Sequence, residues 1–99
     1  MNTALILIDV QASFCHRAYW NASRAAPFLA CTNRLVGACV AGGVPVLRIL
    51  HSDGPAEAGN PFAIESGEVR PLDGLVPFEA AAEFIKHRHS ALVGTGLLV

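Results

Sequence analysis

The chain has 99 residues, 53% of them hydrophobic and 15% charged, with a formal net charge of −1. That length allows one domain at most, and the composition suits a buried core rather than disorder. The near-neutral charge leaves no electrostatic footprint for nucleic acid or an anionic membrane, and no apolar run approaches the roughly 20 residues of a membrane span.

Residues 3–9 read as the first strand. Ala4 to Ile8 are apolar without interruption and run straight into Asp9. A strand with one wet face would alternate, so both faces of this one should be covered, as in a parallel sheet between helices. An ionised carboxylate is costly to bury alone, so Asp9 belongs at the mouth of the sheet. In open α/β sheets that carboxyl end is where ligands bind. Val10–Tyr19 is a loop, with Phe14, Tyr19 and Trp20 as anchors. No glycine lies between Asp9 and Trp20, which speaks against a dinucleotide or phosphate cradle. No cofactor is implied.

Asn21 or Ser23 caps a helix that should run to about Ala41, with Pro27 suited only to its first turn. Phe28, Thr32, Leu35, Val36, Cys39 and Val40 fall on one stripe at helical spacing, and Asn33 and Arg34 on the other face. Gly42-Gly43 supplies a left-handed stop. Val44–Leu50 is the second strand, ending at His51. Strand, helix, glycine turn and strand make a βαβ unit with a right-handed crossover. Ser52–Gly74 is a long loop of the kind that serves function or binding. Pro77–Ala82 holds a helical turn or a simple lead-in, and Glu83–Lys86 is a third short strand. Ser90 is a cap or turn residue, and Gly94–Val99 begins a further helix.

Positions 1–8 lack the basic start and cleavage site of a signal peptide, so the protein is expected in the cytosol. The three cysteines, Cys15, Cys31 and Cys39, form no CxxC pair, against both a disulfide framework and a structural zinc site. The chain closes on Leu97, Leu98 and Val99 with no cap or polar tail. That ending, and a sheet of only three strands, lead us to expect the front part of a longer α/β domain.

Three stretches, ALILIDVQ, GGVPVLRILH and KHRHSALVGTGL, resemble the isochorismatase-like cysteine hydrolases in order and spacing. The last is carried by Lys86, Ser90, Ala91, Leu92, Gly94, Thr95 and Leu97, with Leu92 replacing the usual aromatic. The resemblance implies a three-layer α/β/α Rossmann-like fold with a parallel sheet, incomplete here at the C-terminus. It implies hydrolysis of amide C–N bonds, or in some members a vinyl ether, through an Asp-Lys-Cys triad acting on a small molecule. Asp9 and Lys86 match the aspartate and lysine. The nucleophilic cysteine is expected beyond the last residue, so the 99-residue chain alone is expected to be inactive. Homo-oligomers are common in the family.

The residues also have plainer readings. Asp9 could cap a backbone turn, and Lys86, beside His87, Arg88 and His89, could be a solvated lysine. Gln11 and Phe14 could shape a substrate pocket or anchor the loop. His51 is substrate-facing or caps its strand. With Asp53 it supplies too few ligands for a closed metal site, and none is expected. Pro61-Phe62 resembles a family segment that folds over the pocket. Cys15, six positions past Asp9, is the nearest thiol in sequence, but a free cysteine is usually inert. The contrasting functional class is a truncated, non-catalytic α/β module acting through self-association or partner binding at a bare sheet edge.

Overall fold

The computed structural model describes residues 2–97. Strand β1 (Leu5–Ile8), helix α1 (Ala22–Ala41), strand β2 (Val46–His51) and strand β3 (Ala82–Lys86) follow in chain order. Short 3-10 helices span Ala12–His16 and Ile64–Ser66. The sheet is parallel throughout, with spatial order β1-β2-β3. It is the α/β arrangement that the uninterrupted apolar strands called for. Among the described residues, no helix is long and apolar enough to cross a membrane.

Alternation along the strands assigns the two faces. Leu7 and Val46 pack with Val36 of α1 in the main cluster, joined by Leu5 and Cys39. On the opposite face, Ile49 is fully buried, which contributes about 1.5–3 kcal/mol. Ile6 and Ile8, on that same face of β1, are 42% and 46% exposed.

Asn21 caps α1, its Oδ1 accepting from the Ser23 backbone N–H at 3.0 Å. Capping at Asn21 rather than Ser23 puts Pro27 in the second turn, beyond the first-turn position expected. There its ring nitrogen donates nothing to the Ser23 carbonyl, which lies at an exposed stretch of helix. Gly43 supplies the left-handed stop at φ 73°. The expected apolar stripe is only partly correct. Val36 is buried and Thr32 and Cys39 are half-buried, but Phe28, Leu35 and Val40 are 47%, 50% and 55% exposed. Asn33 turns inward instead. Its Oδ1 accepts from the Val76 N–H at 2.7 Å and its Nδ2 donates to the Gly74 carbonyl at 2.9 Å. Helical periodicity identified the helix but could not rank two adjacent apolar stripes, and the loop at 74–76 chose the one with a hydrogen-bonding residue.

One open alternative resolves to the simple lead-in, and one expectation changes. Residues 77–81 carry no helical turn and lead directly into β3, with the Ala81 N–H donating to the Val46 carbonyl at 2.9 Å. Gly94–Leu97 forms turns and bends rather than the start of a helix, and Leu98 and Val99 lie outside the described residues. Ser90 serves as a turn residue, its Oγ accepting from the Leu92 N–H at 3.1 Å.

Candidate active site

The strand register brings the site together. His51 and Lys86 are paired across β2 and β3, so they share a face at adjacent strand ends. In a regular strand, Asp9 would fall on the Leu7 face, away from Lys86. Its backbone is left-handed, with φ 63°, the one positive value at a non-glycine among the described residues. Aspartate tolerates that region better than most side chains. The break in alternation lets the carboxylate meet Lys86, whose Nζ lies 3.4 Å from Asp9 Oδ2. The lysine side chain is 6% exposed and the aspartate 33%. Lys86 Nζ also donates to the His89 carbonyl at 3.0 Å. Asp9 Oδ1 is buried and has no hydrogen-bond partner among the described residues.

Gln11 holds this geometry from behind. Past Ile8 the β1 backbone no longer pairs regularly with β2, and the Gln11 side chain takes over. Its Oε1 accepts from the His51 N–H at 2.7 Å, and its Nε2 donates to the His51 carbonyl at 2.8 Å. The second amide hydrogen goes to Ser13 Oγ at 2.9 Å. Ser13 passes the chain of bonds to the Glu68 carbonyl at 2.9 Å. Gln11 is 1% exposed and does not line the cavity; its side chain braces the end of β2 from behind.

The cavity in front of Asp9 and Lys86 has a volume of about 280 Å³. Phe14 and His51, both expected near substrate, line it with Asp9 and Lys86. Sequence reading missed Arg17, Asp53 and His89 as lining residues and treated Tyr19 only as a loop anchor. Phe62 forms a wall and is 5% exposed. Its ring meets Phe14 edge-on at 4.9 Å and 84°, and Arg17 stacks over it at 4.6 Å. Such edge-to-face pairs add about 0.5–1.5 kcal/mol beyond the area they bury.

The long loop that carries Phe62 is braced by Asn60. Its Nδ2 donates to the carbonyls of Asp53 and Pro55, and its Oδ1 accepts from the Phe62 N–H. A Cβ at Gly54, where φ is 81°, would sit 2.9 Å from Asn60 Nδ2, so only glycine fits there. Further along, Gln11 bridges Pro71, and the Leu72 N–H donates to the Val10 carbonyl at 3.1 Å. The loop is therefore tied to the β1 exit at both levels.

None of the three cysteines lines the cavity. Cys15 and Cys31 are exposed, and Cys39, on α1, packs half-buried against the Leu7–Val36–Val46 cluster. His51 Nε2 lies 4.0 Å from Asp53 Oδ2, and its Nδ1 is buried without a partner among the described residues. Among the described residues, no three of His, Cys, Asp and Glu gather into a metal-binding group.

With this geometry in hand, comparison with known proteins is decisive at the family level. A family model, the isochorismatase domain, matches residues 3–98. The chain belongs to the isochorismatase family. Solved structures repeat its fold. An N-carbamoylsarcosine amidase from Thermoplasma acidophilum is 20% identical with a TM-score of 0.74, over 98% of this chain and 58% of that one. An isochorismatase from Pseudomonas putida KT2440 is 22% identical with a TM-score of 0.73, over 97% and 47%. A cysteine hydrolase from Pseudomonas syringae pv. phaseolicola 1448A is 21% identical, also at 0.73, over 95% and 50%. The chain spans about half the length of the solved structures it matches. No curated protein sequence matches it.

Proposed function

We propose that these 99 residues are the N-terminal part of a single isochorismatase-like domain that hydrolyses a small molecule, at an amide C–N bond in the first instance and at a vinyl ether in the second. Asp9 is the carboxylate that moves the proton. Lys86 is the ammonium that stabilises a thiolate. The thiol belongs to a cysteine in the rest of the domain, outside this chain. The Asp9–Lys86 pair carries the proposal: a one-third exposed carboxylate lies 3.4 Å from a buried ammonium, and both line one cavity at the carboxyl end of the sheet.

The chemistry follows from those positions. A thiol is a poor nucleophile and a thiolate a good one. Asp9 accepts the thiol proton, and the thiolate attacks the carbonyl carbon. Asp9 then returns the proton to the departing amine as the C–N bond breaks. Water attacks the remaining thioester, giving Asp9 its proton, and the thiol is restored as the carboxylic acid leaves. Throughout, the Lys86 charge offsets the negative charge on sulfur.

Sequencing the gene past codon 99 gives the first test. An in-frame strand with a cysteine at its end is expected, and a stop codon would overturn the hydrolase reading. In the extended protein, Asp9→Asn should lower kcat/KM by about 10²- to 10⁴-fold, the usual contribution of a positioned proton-transfer group. Wild-type turnover in that variant would remove Asp9 from the mechanism.

A second reading, a module working through self-association, draws on the uncovered apolar residues. Ile6 and Ile8 on the sheet, and Phe28 and Leu35 on α1, are all more than two-fifths exposed. Sedimentation of the 99-residue chain decides it, since this reading requires a defined oligomer with no hydrolysis after extension.

A further inference from the structure

We propose that Arg17 selects the substrate at this cavity and that it takes a carboxylate carried on a small, partly apolar molecule. The inference rests on the reading of the cavity as the substrate site and adds to it the class of substrate.

The charges on the wall narrow the choice. Asp9 and Lys86 face each other at 3.4 Å and offset one another. Asp53 is 73% exposed, and its carboxylate turns to His51 Nε2. Arg17 has no carboxylate partner among the described residues. Arg48 provides the contrast. It also stacks on a phenyl ring, that of Phe78 at 4.5 Å, but its charge is taken by Glu83 at 3.3 Å. Arg17, at a more exposed position, lies over its ring at a similar distance, with no carboxylate partner among the described residues.

The residue is also held in place. Its N–H donates to the Phe14 carbonyl, and its carbonyl accepts from the Trp20 N–H, each at 3.1 Å. The ring beneath it is buried and clamped by Phe14. A guanidinium placed over a ring face still has N–H donors for bidentate pairing with a planar carboxylate. Phe14 and Phe62 beside it favour an apolar or flat fragment next to that carboxylate.

The test is a binding titration of the ¹⁵N-labelled 99-residue chain with benzoate, and with benzamide as its neutral isostere. Benzoate is expected to move the amide signals of Phe14, Arg17 and Phe62. Arg17→Gln should weaken benzoate by about tenfold or more and leave benzamide unchanged. Arg17→Lys should recover only part of the loss, because an ammonium lacks the fork. An otherwise unaltered amide spectrum of the variant shows that the fold survives. Equal affinity for the two probes, benzoate binding that ignores Arg17→Gln, or no benzoate binding at all would overturn the assignment. The readout is independent of hydrolysis. Lost selectivity with hydrolysis intact in the extended protein removes Arg17 alone, while selectivity without hydrolysis removes the catalytic reading alone.

Discussion

The Asp9–Lys86 pair should behave asymmetrically when its members are removed one at a time. Lys86 is 6% exposed and Asp9 33%, so the lysine depends on its partner more than the aspartate does. Asp9→Asn keeps the shape and the tolerance for a left-handed backbone, and deletes only the charge. The ammonium is then left with the His89 carbonyl as its remaining contact. Stranding a fully buried charge costs about 3–5 kcal/mol. The one-third exposure of the site lets water return, which reduces the expected loss to about 2–3 kcal/mol. In a domain of this size, that lowers Tm by about 10–20 °C. Lys86→Met keeps the stem and leaves a carboxylate that water can reach, so it should cost less than about 1 kcal/mol. The double variant should fall near Lys86→Met alone, a coupling of about 2 kcal/mol. Urea unfolding of the four proteins, followed by circular dichroism at low concentration, measures every corner of the cycle. If Lys86→Met proves the more damaging change, or the coupling falls below about 0.5 kcal/mol, the pair is not the buried charge contact described here.

Three other outcomes follow from the same structure. Gln11→Leu removes the partners of the His51 N–H and carbonyl and of Ser13, all at buried or half-buried positions, and should cost about 2–4 kcal/mol in urea unfolding. A loss below about 0.5 kcal/mol would show that water replaces the amide. Asn33→Ala should cost about 1–2 kcal/mol and speed amide exchange at Val76, while Arg34→Ala, on the exposed face, should change neither. Iodoacetamide should label Cys15 and Cys31 at similar rates and Cys39 last, in the order of their exposure, and labelling of Cys15 alone would point to a reactive thiol the structure does not support.

The first strand, its acid and the βαβ unit were legible because each rests on local pattern. An unbroken apolar run means two covered faces, and a glycine pair after a helical stripe means a stop. Phe14, His51, Asp9 and Lys86 were found as a group only through the order of three motifs, since spacing alone does not say which strand ends lie side by side. The rest depends on contacts between distant segments. Nothing near Asn33 in sequence indicates that a loop more than 40 residues later will present it with a carbonyl and an N–H. The same limit hid the role of Gln11, whose partner His51 is equally remote. Arg17 and Phe62 come from two loops that meet only at the cavity. Exposure on the helix misled for a different reason. Phe28 and Leu35 are apolar enough for a core, but nothing among the described residues covers them.

These contacts explain why the acid sits in a strained backbone. Three parallel strands deliver His51 and Lys86 to one face, in register, at the carboxyl end of the sheet. A straight continuation of β1 would aim the next side chain at α1 and waste that arrangement. A left-handed residue at Asp9 corrects the aim, at a cost of order 1 kcal/mol for a non-glycine. The break also ends regular backbone pairing with β2, where the His51 N–H and carbonyl would otherwise lose their partners. Gln11 supplies both from its side chain and so keeps β2 fixed while β1 turns away. The Asp-x-Gln spacing is then a physical requirement: the first residue turns the carboxylate into the cavity, and the second, two positions on, repairs the sheet that the turn has broken. Replacing Asp9 by Gly should relax the backbone and raise stability relative to Asp9→Ala by about 1 kcal/mol, measured by urea unfolding. An equal or lower stability for the glycine variant would mean that the left-handed turn stores no strain and that the spacing needs another explanation.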